Sequence, residues 1–336
     1  MITYIFKILF FQILISIPII LISKIKGLVD LPNERKIHSK PTPYTGGIIL
    51  ALTYLFIIFI SDFENKFLNL ILSYGFIISL TGLVDDRYYV RPGTKLLLQA
   101  IPIFFLIDQN LYLNNLGSYQ IIGNLELGSL DKIFTFLCCL LLINAFNYND
   151  GIDGLAAVVA IIVLLSFSMF LFILGNKSDT NNLFIILTPI IIFLIFNLGI
   201  LSNFKIFLGD SGSNLLGFII SFIAIYIFKE NGVHPALVIW PLAYVVYEFL
   251  SVTILRIIKN TGTFKPGKDH LHYEIIDLFK LSPFHSLLVI LVLNIFLILV
   301  GSYIFFKFGQ DISITIFIFF FLIYLLGKFM IKKYLA

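Results

Sequence analysis

Long apolar runs dominate the sequence and limit the folds that it can adopt. Eleven runs approach the roughly 20 residues that a helix needs to cross a bilayer. They begin at Ile2, Gly47, Phe67, Leu96, Ile133, Leu155, Leu183, Leu215, Pro235, Phe284 and Ile312. Backbone amides within a bilayer must be hydrogen-bonded inside the protein, so runs of this length form helices. The sequence predicts an all-α, polytopic integral membrane protein with about 10–11 transmembrane helices and a single domain over residues 1–336.

The composition excludes an ordinary soluble domain. Hydrophobic residues make up 59% of the chain and charged residues 12%, about half the charged fraction of a typical soluble protein. The net charge of +4 is small, so no nucleic-acid partner is expected. Cys138 and Cys139 are adjacent within an apolar run, and their spacing predicts neither a disulfide framework nor a metal site.

The distribution of lysine and arginine predicts the orientation in the membrane. If the spans alternate, the segments 24–46, 85–95, 149–153, 203–213, 256–283 and the residues from 328 onward share one face. These segments hold 17 of the 23 Lys and Arg residues, and by the positive-inside rule their face is cytoplasmic. The longest segment on the opposite face, residues 108–132, is rich in Asn and Gly and is expected to contain a short hairpin.

The segment GLVDDRYYVRPGTK ends one span with a pair of adjacent acids, Asp85 and Asp86. Adjacent like charges raise the pKa of one carboxyl group and suit the pair to proton transfer or to sharing a divalent cation. Basic residues follow closely, including Lys95, and would reduce that effect by pairing. The alternative interpretation is a solvated helix end.

Two further predicted cytoplasmic segments carry aspartates beside glycines. In NAFNYNDGIDGLA, Asn147, Asp150 and Asp153 are expected on nearly one helical face. In NFKIFLGDSGSNLLG, Asp210 comes directly before a span. There it can be an oxygen ligand for Mg²⁺ beside a helix amino terminus that favours anions. A helix break in the first segment and helix capping in the second are the structural alternatives.

Two more segments on this face carry basic groups and imidazoles. Prolines prevent helix formation in the first, DLPNERKIHSKPTPYTGG. Its basic residues include Arg35, Lys36, His38 and Lys40. The second, TGTFKPGKDHLHYE, contains His270 and His272, whose spacing is weak evidence for zinc and fits phosphate contacts better. A juxtamembrane loop attracted to anionic lipid is the alternative for the first segment.

Acids and basic loops on one membrane face predict chemistry where water and lipid meet. Carboxylates that bind a hard cation leave coordination positions for phosphates. We therefore expect cytoplasmic catalytic loops that transfer a phosphoryl group between a water-soluble diphosphate and a lipid phosphate. A transporter, which would place acids near the membrane midplane, and a CDP-alcohol phosphatidyltransferase are the other classes considered.

The five motifs together resemble those of a known family. DLPNERKIHSKPTPYTGG, GLVDDRYYVRPGTK, NYNDGIDGLA, FLGDSGSNLLG and DHLH occur in the order found in the polyprenyl-phosphate N-acetylhexosamine-1-phosphate transferases, bacterial glycosyltransferase family 4. The chain looks most similar to the members that use undecaprenyl phosphate and N-acetylglucosamine. The resemblance implies a multi-pass protein of the cell inner (cytoplasmic) membrane that transfers sugar 1-phosphate from a UDP-N-acetylhexosamine to undecaprenyl phosphate and releases UMP. It also implies Mg²⁺, with Mn²⁺ as a possible substitute, contact with membrane lipids, a possible homodimer, and a first step in cell-surface polysaccharide synthesis.

The resemblance also assigns roles to individual residues. Asp85 is similar to the acid proposed to deprotonate the lipid phosphate, and Asp86 is its partner. Asp210 matches the magnesium ligand, while Asp150 and Asp153 match the nucleotide and metal neighbourhood, Asp150 as a further metal ligand. The catalytic set implied is Asp85, Asp86, Asp150, Asp153, His270 and His272. The substrate-binding set is Arg35, Lys36, His38, Lys40, Lys95, Asn147, Asn197 and Phe207, in which Asn197 matches a uridine contact and Phe207 is expected to stack on uracil.

Departures from the family pattern bear on the sugar. The related phospho-N-acetylmuramoyl-pentapeptide transferase of peptidoglycan synthesis, the alternative within the family, carries three consecutive histidines followed by an acid. The corresponding loop here reads DHLHYE, which argues against that substrate. Glu248 stands where similar proteins often have Asp, and the choice among GlcNAc, GalNAc and 6-deoxy-HexNAc donors stays open.

Overall fold

The computed structural model describes residues 1–32, 40–61, 65–260, 262 and 267–335, with no side chains described beyond residue 332. Within these ranges the chain is mainly helical, with two short strand pairs. The helices are α1 Ile2–Lys26, α2 Gly46–Ser61, α3 Lys66–Tyr88, α4 Pro92–Asp108, α5 Asp131–Tyr148, α6 Leu155–Ile173, α7 Lys177–Asn197, α8 Gly209–Lys229, α9 Pro235–Val238, α10 Ala243–Ile258, α11 Leu271–Phe279 and α12 Pro283–Leu335. Seven helices in the described ranges are long and apolar enough to cross a membrane. The prediction of an all-α polytopic membrane protein is confirmed.

All eleven apolar runs form helices over most of their length, but three of them differ in detail from the prediction. The run from Pro235 is interrupted by turns at 239–242, which separate α9 from α10. Pro241 lies in this break, and a proline there cannot continue the hydrogen-bond ladder of a helix. The last two runs form two helices that meet at a break at Gly309, where φ is 82° and ψ is −179°, and the two are numbered together as α12. A short helix that the apolar pattern did not predict, α11, precedes α12.

Two small antiparallel strand pairs join the helices. Strand β1 (Val29–Asp30) pairs with β2 (Thr42–Pro43), closing the segment that contains the first basic loop. Strand β3 (Asn115–Tyr119) pairs with β4 (Gly123–Glu126), so the hairpin expected within 108–132 is present. Each strand pair stabilises a loop between two helices, and neither belongs to a larger sheet in the described residues.

Helix α8 lies at the centre of the bundle. Every residue from Ser211 to Ile227 is buried, and α2, α3, α5 and α6 pack around it. Glycines allow two of these helices to approach its backbone closely. A Cβ atom on Gly47 would lie 2.1 Å from the backbone nitrogen of Gly212, and one on Gly82 would lie 2.4 Å from the carbonyl oxygen of Asp210. The close packing of α3 on α8 brings the end of α3 beside the beginning of α8.

Candidate active site

A cavity of about 970 Å³ opens at one end of the bundle. Segments far apart in sequence form its wall. The lining residues that carry acidic, basic or aromatic groups are Asp30, Tyr44, Asp85, Asp86, Arg87, Tyr89, Asp150, Asp153, Lys205, Phe207, Asp210 and Tyr273. The acids lie at helix ends and in a turn, not midway along the helices. A smaller cavity of about 500 Å³ has Asp179 as its only carboxylate among the described residues, so the larger cavity is the candidate site.

Lys95 joins two of the predicted acids. Its ammonium nitrogen lies 2.8 Å from Oδ2 of Asp85 and 2.6 Å from Oδ2 of Asp210. The other oxygen of Asp85 accepts the backbone N–H of Val90, 2.8 Å away. Lys95 is therefore held between the end of α3 and the start of α8, where its charge can meet a phosphate that enters the cavity.

Asp86 binds the beginning of α8. One of its oxygens accepts the backbone N–H of Asp210 at 2.9 Å, and the other accepts that of Ser211 at 3.1 Å. The first amides of a helix have no partner within the helix, and a carboxylate there is favourable. The structure thus gives Asp86 a positioning contact with Asp210, in addition to its place in the cavity wall.

Asn147 orients the Asp210 carboxylate from α5. Its amide nitrogen donates to Oδ1 of Asp210 at 2.7 Å and to the hydroxyl of Ser213 at 3.0 Å. With Lys95 on Oδ2, both carboxylate oxygens have a nitrogen donor. Each oxygen keeps a lone pair for a further ligand.

The prediction that Asn147, Asp150 and Asp153 share one helical face is wrong. Helix α5 ends at Tyr148 and α6 begins at Leu155, so both aspartates lie in the turn between the helices. Gly154 in this turn has φ of 82°, a conformation that glycine adopts without strain. The turn still directs both carboxylates into the cavity.

The acids repel one another at Asp150. Burial raises the pKa of Asp150 well above its usual value, and the charges of Asp210, Asp86 and Asp153 raise it further. Asp153 has a partner in Lys205, whose ammonium is 2.5 Å from its Oδ2. Burial and the neighbouring acids thus oppose ionisation of Asp150, and a cation bound beside it would favour the ionised form.

Phe207 and Asn197 line the same cavity as the turn that carries Asp150 and Asp153. The Lys205 ammonium is 5.5 Å from the centre of the Phe207 ring, which also lines the cavity. Asn197 is buried, and its side chain already binds backbone groups. Its Oδ1 accepts the N–H of Gly154 at 2.6 Å, and its Nδ2 donates to the carbonyl of Ile206 at 2.9 Å. Asn197 therefore braces the two segments that carry the acids and Phe207.

His270 and His272 lie behind the cavity wall. Both are buried, and their rings stack with centres 5.7 Å apart. Burial and the neighbouring His270 lower the pKa of His272 to about 3, so its ring is neutral at neutral pH. Its Nε2 is buried without a hydrogen-bond partner among the described residues and packs against Gly151, where an added Cβ would be 2.1 Å away. The structure thus places His272 against the acidic turn as a neutral imidazole.

Six predicted substrate-binding residues are not part of the described cavity lining. Two of them, Lys95 and Asn147, contact Asp210, which does line the cavity, and the other four are one exposed lysine and three residues outside the described residues. Arg35, Lys36 and His38 fall outside the described residues. Lys40 is exposed and is not part of the described lining. Their roles stay predictions.

Sequence reasoning assigned no catalytic or binding role to six polar side chains of the described cavity lining, which are Asp30, Tyr44, Arg87, Tyr89, Lys205 and Tyr273. In the sequence, Lys205 contributes only to the count of basic residues on its face, and Tyr273 is present only as part of the segment TGTFKPGKDHLHYE. The hydroxyl of Tyr273 donates to the carbonyl of Gly151 at 3.2 Å. The signal available for Lys205 was its position two residues before Phe207 in a segment already singled out.

The donor set suits a hard divalent cation. In the part of the chain that the structure describes, no three His, Cys, Asp or Glu side chains converge as a complete metal site. Mg²⁺ does not require such a cage, because it is usually held by one or two carboxylates together with waters and substrate phosphates. The lone pairs of Asp210 and the repulsion among the acids at Asp150, which a bound cation would relieve, fit this mode of binding. Magnesium at these residues stays a prediction.

The fold and the cavity define a polytopic helical membrane protein with an acid- and lysine-containing cleft at one end of the bundle. The family model of glycosyl transferase family 4 matches residues 68–228, which include Asp85, Asp86, Lys95, Asp150 and Asp210. The chain is 31% identical over 260 residues to an undecaprenyl-phosphate alpha-N-acetylglucosaminyl 1-phosphate transferase of Escherichia coli, covering 76% of this chain and 70% of that protein.

Proteins with the same name from other bacteria are similar to a comparable degree. The protein from Pasteurella multocida is 32% identical over 255 residues, covering 74% of this chain and 71% of its own length. The protein from Yersinia pestis is 29% identical over 253 residues, covering 74% and 69%. The chain belongs to glycosyl transferase family 4.

Proposed function

We propose that the protein transfers an N-acetylhexosamine 1-phosphate, GlcNAc 1-phosphate in the first instance, from a UDP-sugar to undecaprenyl phosphate and releases UMP. The observation that carries the proposal is the meeting of Asp85, Lys95, Asp150 and Asp210 at one end of the bundle, from segments separated along the chain. The acceptor and the sugar are those named in the relatives. This reaction would be the first membrane step of a cell-surface polysaccharide.

The location of the cleft fits both reactants. Undecaprenyl phosphate lies in the membrane with its phosphate at the surface, whereas a UDP-sugar is dissolved in water. A cleft at helix ends reaches both, and a site at the membrane midplane, as in a transporter, would not. The cleft lies on the face that carries 17 of the 23 Lys and Arg residues, which supports a cytoplasmic active site in the inner membrane.

The proposed reaction is a displacement at phosphorus. An oxygen of the lipid phosphate forms a bond to the β-phosphorus of the UDP-sugar, and the bond from that phosphorus to the oxygen bridging it to UMP breaks. The electron pair of the broken bond leaves on UMP, and the product is a lipid-linked sugar diphosphate. Such reactions depend mainly on positioning and on neutralising charge on the phosphates.

Side chains of the cleft can both position the reactants and neutralise charge on the phosphates. Lys95 provides a positive charge between Asp85 and Asp210 that can bind the phosphate oxygens. Asp85 can accept the proton of a monoprotonated lipid phosphate, which makes its oxygen a better nucleophile. Phe207 offers an aromatic face for the uracil, beside the Lys205 ammonium.

Magnesium would be held by Asp210 and Asp150 with phosphate oxygens completing its coordination. When bound, it would supply positive charge that stabilises the bridging oxygen as it leaves with UMP. Asn147 and Asp86 keep Asp210 in place for this purpose through the side chain and the backbone, respectively.

The test is UMP release by the purified protein with undecaprenyl phosphate and a panel of UDP-sugars, with Mg²⁺ and with EDTA. We expect release with UDP-GlcNAc, loss of release in EDTA, and recovery on adding Mg²⁺ or Mn²⁺. Asp85→Asn and Asp210→Asn should each abolish release while the protein remains folded by thermal unfolding. Asp108→Asn, an exposed acid at the other end of α4, is the matched control and should keep wild-type activity.

The proposal fails if no UDP-sugar yields UMP. Near-normal turnover in Asp85→Asn or Asp210→Asn would remove that residue from the mechanism. Release that is unaffected by EDTA would exclude the divalent cation, and a preference for a different UDP-sugar would change the donor while keeping the reaction.

A further inference from the structure

A lysine is buried near the end of α12. Lys328 is 1% exposed. A buried ammonium is costly unless charged and polar partners surround it. Its nitrogen lies 2.8 Å from Oε2 of Glu274 and 3.2 Å from Oε1 of Glu248. It also donates to the carbonyl of Asp269 at 3.0 Å. Two of these three partners, Asp269 and Glu274, belong to the histidine-bearing segment and α11.

Glu248 binds the beginning of α11 from a different helix. It lies in α10, is 1% exposed, and its Oε1 accepts the N–H of Leu271, the first residue of α11, at 2.9 Å. Its Oε2 accepts the hydroxyl of Tyr324 at 2.6 Å. A carboxylate at the amino terminus of a helix satisfies a free amide and interacts favourably with the helix dipole. Lys328 supplies the positive charge that compensates the Glu248 carboxylate at the amino terminus of α11.

Salt bridges also hold Asp269, the residue before His270. Arg256 donates to both oxygens of Asp269, at 2.9 and 2.6 Å, and Lys332 lies 3.1 Å from one of them. Burial alone would raise the pKa of Asp269, but the hydrogen bonds and charge of Arg256 outweigh it and hold that pKa well below the usual range. Asp269, which directly precedes His270, is therefore attached to α10 and α12 by charged groups.

The other side of α11 contacts the acidic turn. Tyr273 donates to the carbonyl of Gly151, and the His272 ring leaves no room for a Cβ on Gly151. The hydroxyl of Ser286 in α12 donates to the carbonyl of His272 at 2.9 Å. A displacement of α11 would thus be transmitted to the turn that carries Asp150.

Lys328 is not in a position to contact a reactant. It is buried and does not belong to the described lining of the cavity. Its three contacts all lead to groups that fix α11. Any influence on the reaction must therefore act through α11.

We propose that Lys328, together with Glu248, is a positioning pair that sets α11 against the Asp150 turn. The pair holds His270, His272 and Tyr273 in register with the acids of the cleft. The kinetic part of this inference rests on the proposed transfer reaction, whereas its structural part does not.

The experiment compares Lys328→Met with Lys307→Met in the full-length protein. Lys307 is an exposed lysine of α12 that lies before the break at Gly309, whereas Lys328 lies after it, so the chemical change is identical and the burial differs. In hydrogen exchange measured by mass spectrometry, Lys328→Met should increase exchange over 268–276 and leave 205–215 unchanged. Lys307→Met should alter neither. In UMP release, Lys328→Met should lower kcat by about ten- to a hundredfold, the range for a displacement of about 1 Å near the chemistry, with a much smaller change in KM for the UDP-sugar.

A double variant separates positioning from direct contact. Lys328→Met alone leaves the buried carboxylates of Glu248 and Glu274 without their shared countercharge. Adding Glu248→Gln removes the charge of Glu248 and keeps an oxygen that can accept the Leu271 N–H. We expect kcat of the double variant to be at least fivefold higher than that of Lys328→Met. Part of the protection from hydrogen exchange over 268–276 should also return.

Three results would overturn the inference. The first is unchanged exchange over 268–276 in Lys328→Met, whatever its activity. The second is wild-type kcat in that variant. The third is a double variant that recovers neither protection nor kcat, which would show that Lys328 does not act by compensating the Glu248 carboxylate. If the wild-type protein released no UMP, the proposed function would fail, and the exchange measurements would still decide whether Lys328 fixes α11.

Discussion

Asn197 provides a test that separates a structural brace from a substrate contact. The resemblance predicts that it contacts uridine, whereas its side chain joins the N–H of Gly154 to the carbonyl of Ile206. Asn197→Ala removes both hydrogen bonds. It should therefore destabilise the protein and loosen the turn with the acids and the loop with Phe207 together.

The size of the effect follows from the two hydrogen bonds. A hydrogen bond between neutral groups contributes about 0.5–1.5 kcal/mol net, and a buried backbone group left without a partner costs about 1–3 kcal/mol. Asn197 is 4% exposed but lines the cavity, so water can replace part of what is lost. We expect a destabilisation of about 2–4 kcal/mol, which at roughly 2 °C per kcal/mol lowers the unfolding temperature by about 4–8 °C.

The assay is thermal unfolding in detergent, combined with kcat and KM for the UDP-sugar. Asn181→Ala is the matched control, because Asn181 is exposed near the beginning of the same helix and should leave both measurements unchanged. The bracing role predicts a lower unfolding temperature and a lower kcat. An unchanged unfolding temperature with only a raised KM would refute it and favour direct contact with uridine.

Three further substitutions test other parts of the site. Gly151→Ala should reduce UMP release at least tenfold, because the new Cβ would lie 2.1 Å from Nε2 of His272. The control Gly93→Ala, with no atom within 4 Å of the added Cβ, should keep wild-type activity. Equal activity in the two variants would contradict the packing of His272 against Gly151. The pKa of Asp269 is lowered in the folded protein, so its stabilising contribution is present above the unfolded pKa of about 4 and is lost as the pH falls through the folded pKa. Between pH 5 and pH 3 the wild type should therefore lose more thermal stability than Asp269→Asn, and parallel losses would contradict that assignment. Lys205→Met should raise KM for the UDP-sugar by about threefold or more, from the lost cation–π and ion-pair contacts, with little change in kcat; an unchanged KM would separate Lys205 from donor binding.

The helices were largely predictable because the requirement that produces them is local. Each apolar run must satisfy its backbone hydrogen bonds within itself to lie in a bilayer, so the runs from Ile2 to Ile312 all became helices. Helix α11 was missed because its nine residues are too few for a spanning run and its amino terminus is capped by Glu248, a residue 23 positions away. The break between α9 and α10 also falls inside a run that remains apolar throughout.

The candidate acids were identifiable because charged residues at the ends of apolar spans are costly unless they have a purpose. Their partners were not identifiable. Lys95 was expected to bind substrate, yet its contact with Asp210 spans 115 positions of sequence. Lys328 was counted as one of the basic residues that define the cytoplasmic face, and the structure shows it buried against Glu248 and Glu274.

The sequence by itself determined that the chain crosses a membrane many times and that its acids gather at one set of span ends, because hydrophobic length and charge placement act residue by residue. Only the tertiary structure decided which ammonium faces which carboxylate, that Asp150 and Asp153 lie in a turn, and that Asn197 braces two segments. Such pairings depend on distances of a few ångströms between helices, which are set by packing of the whole bundle around α8.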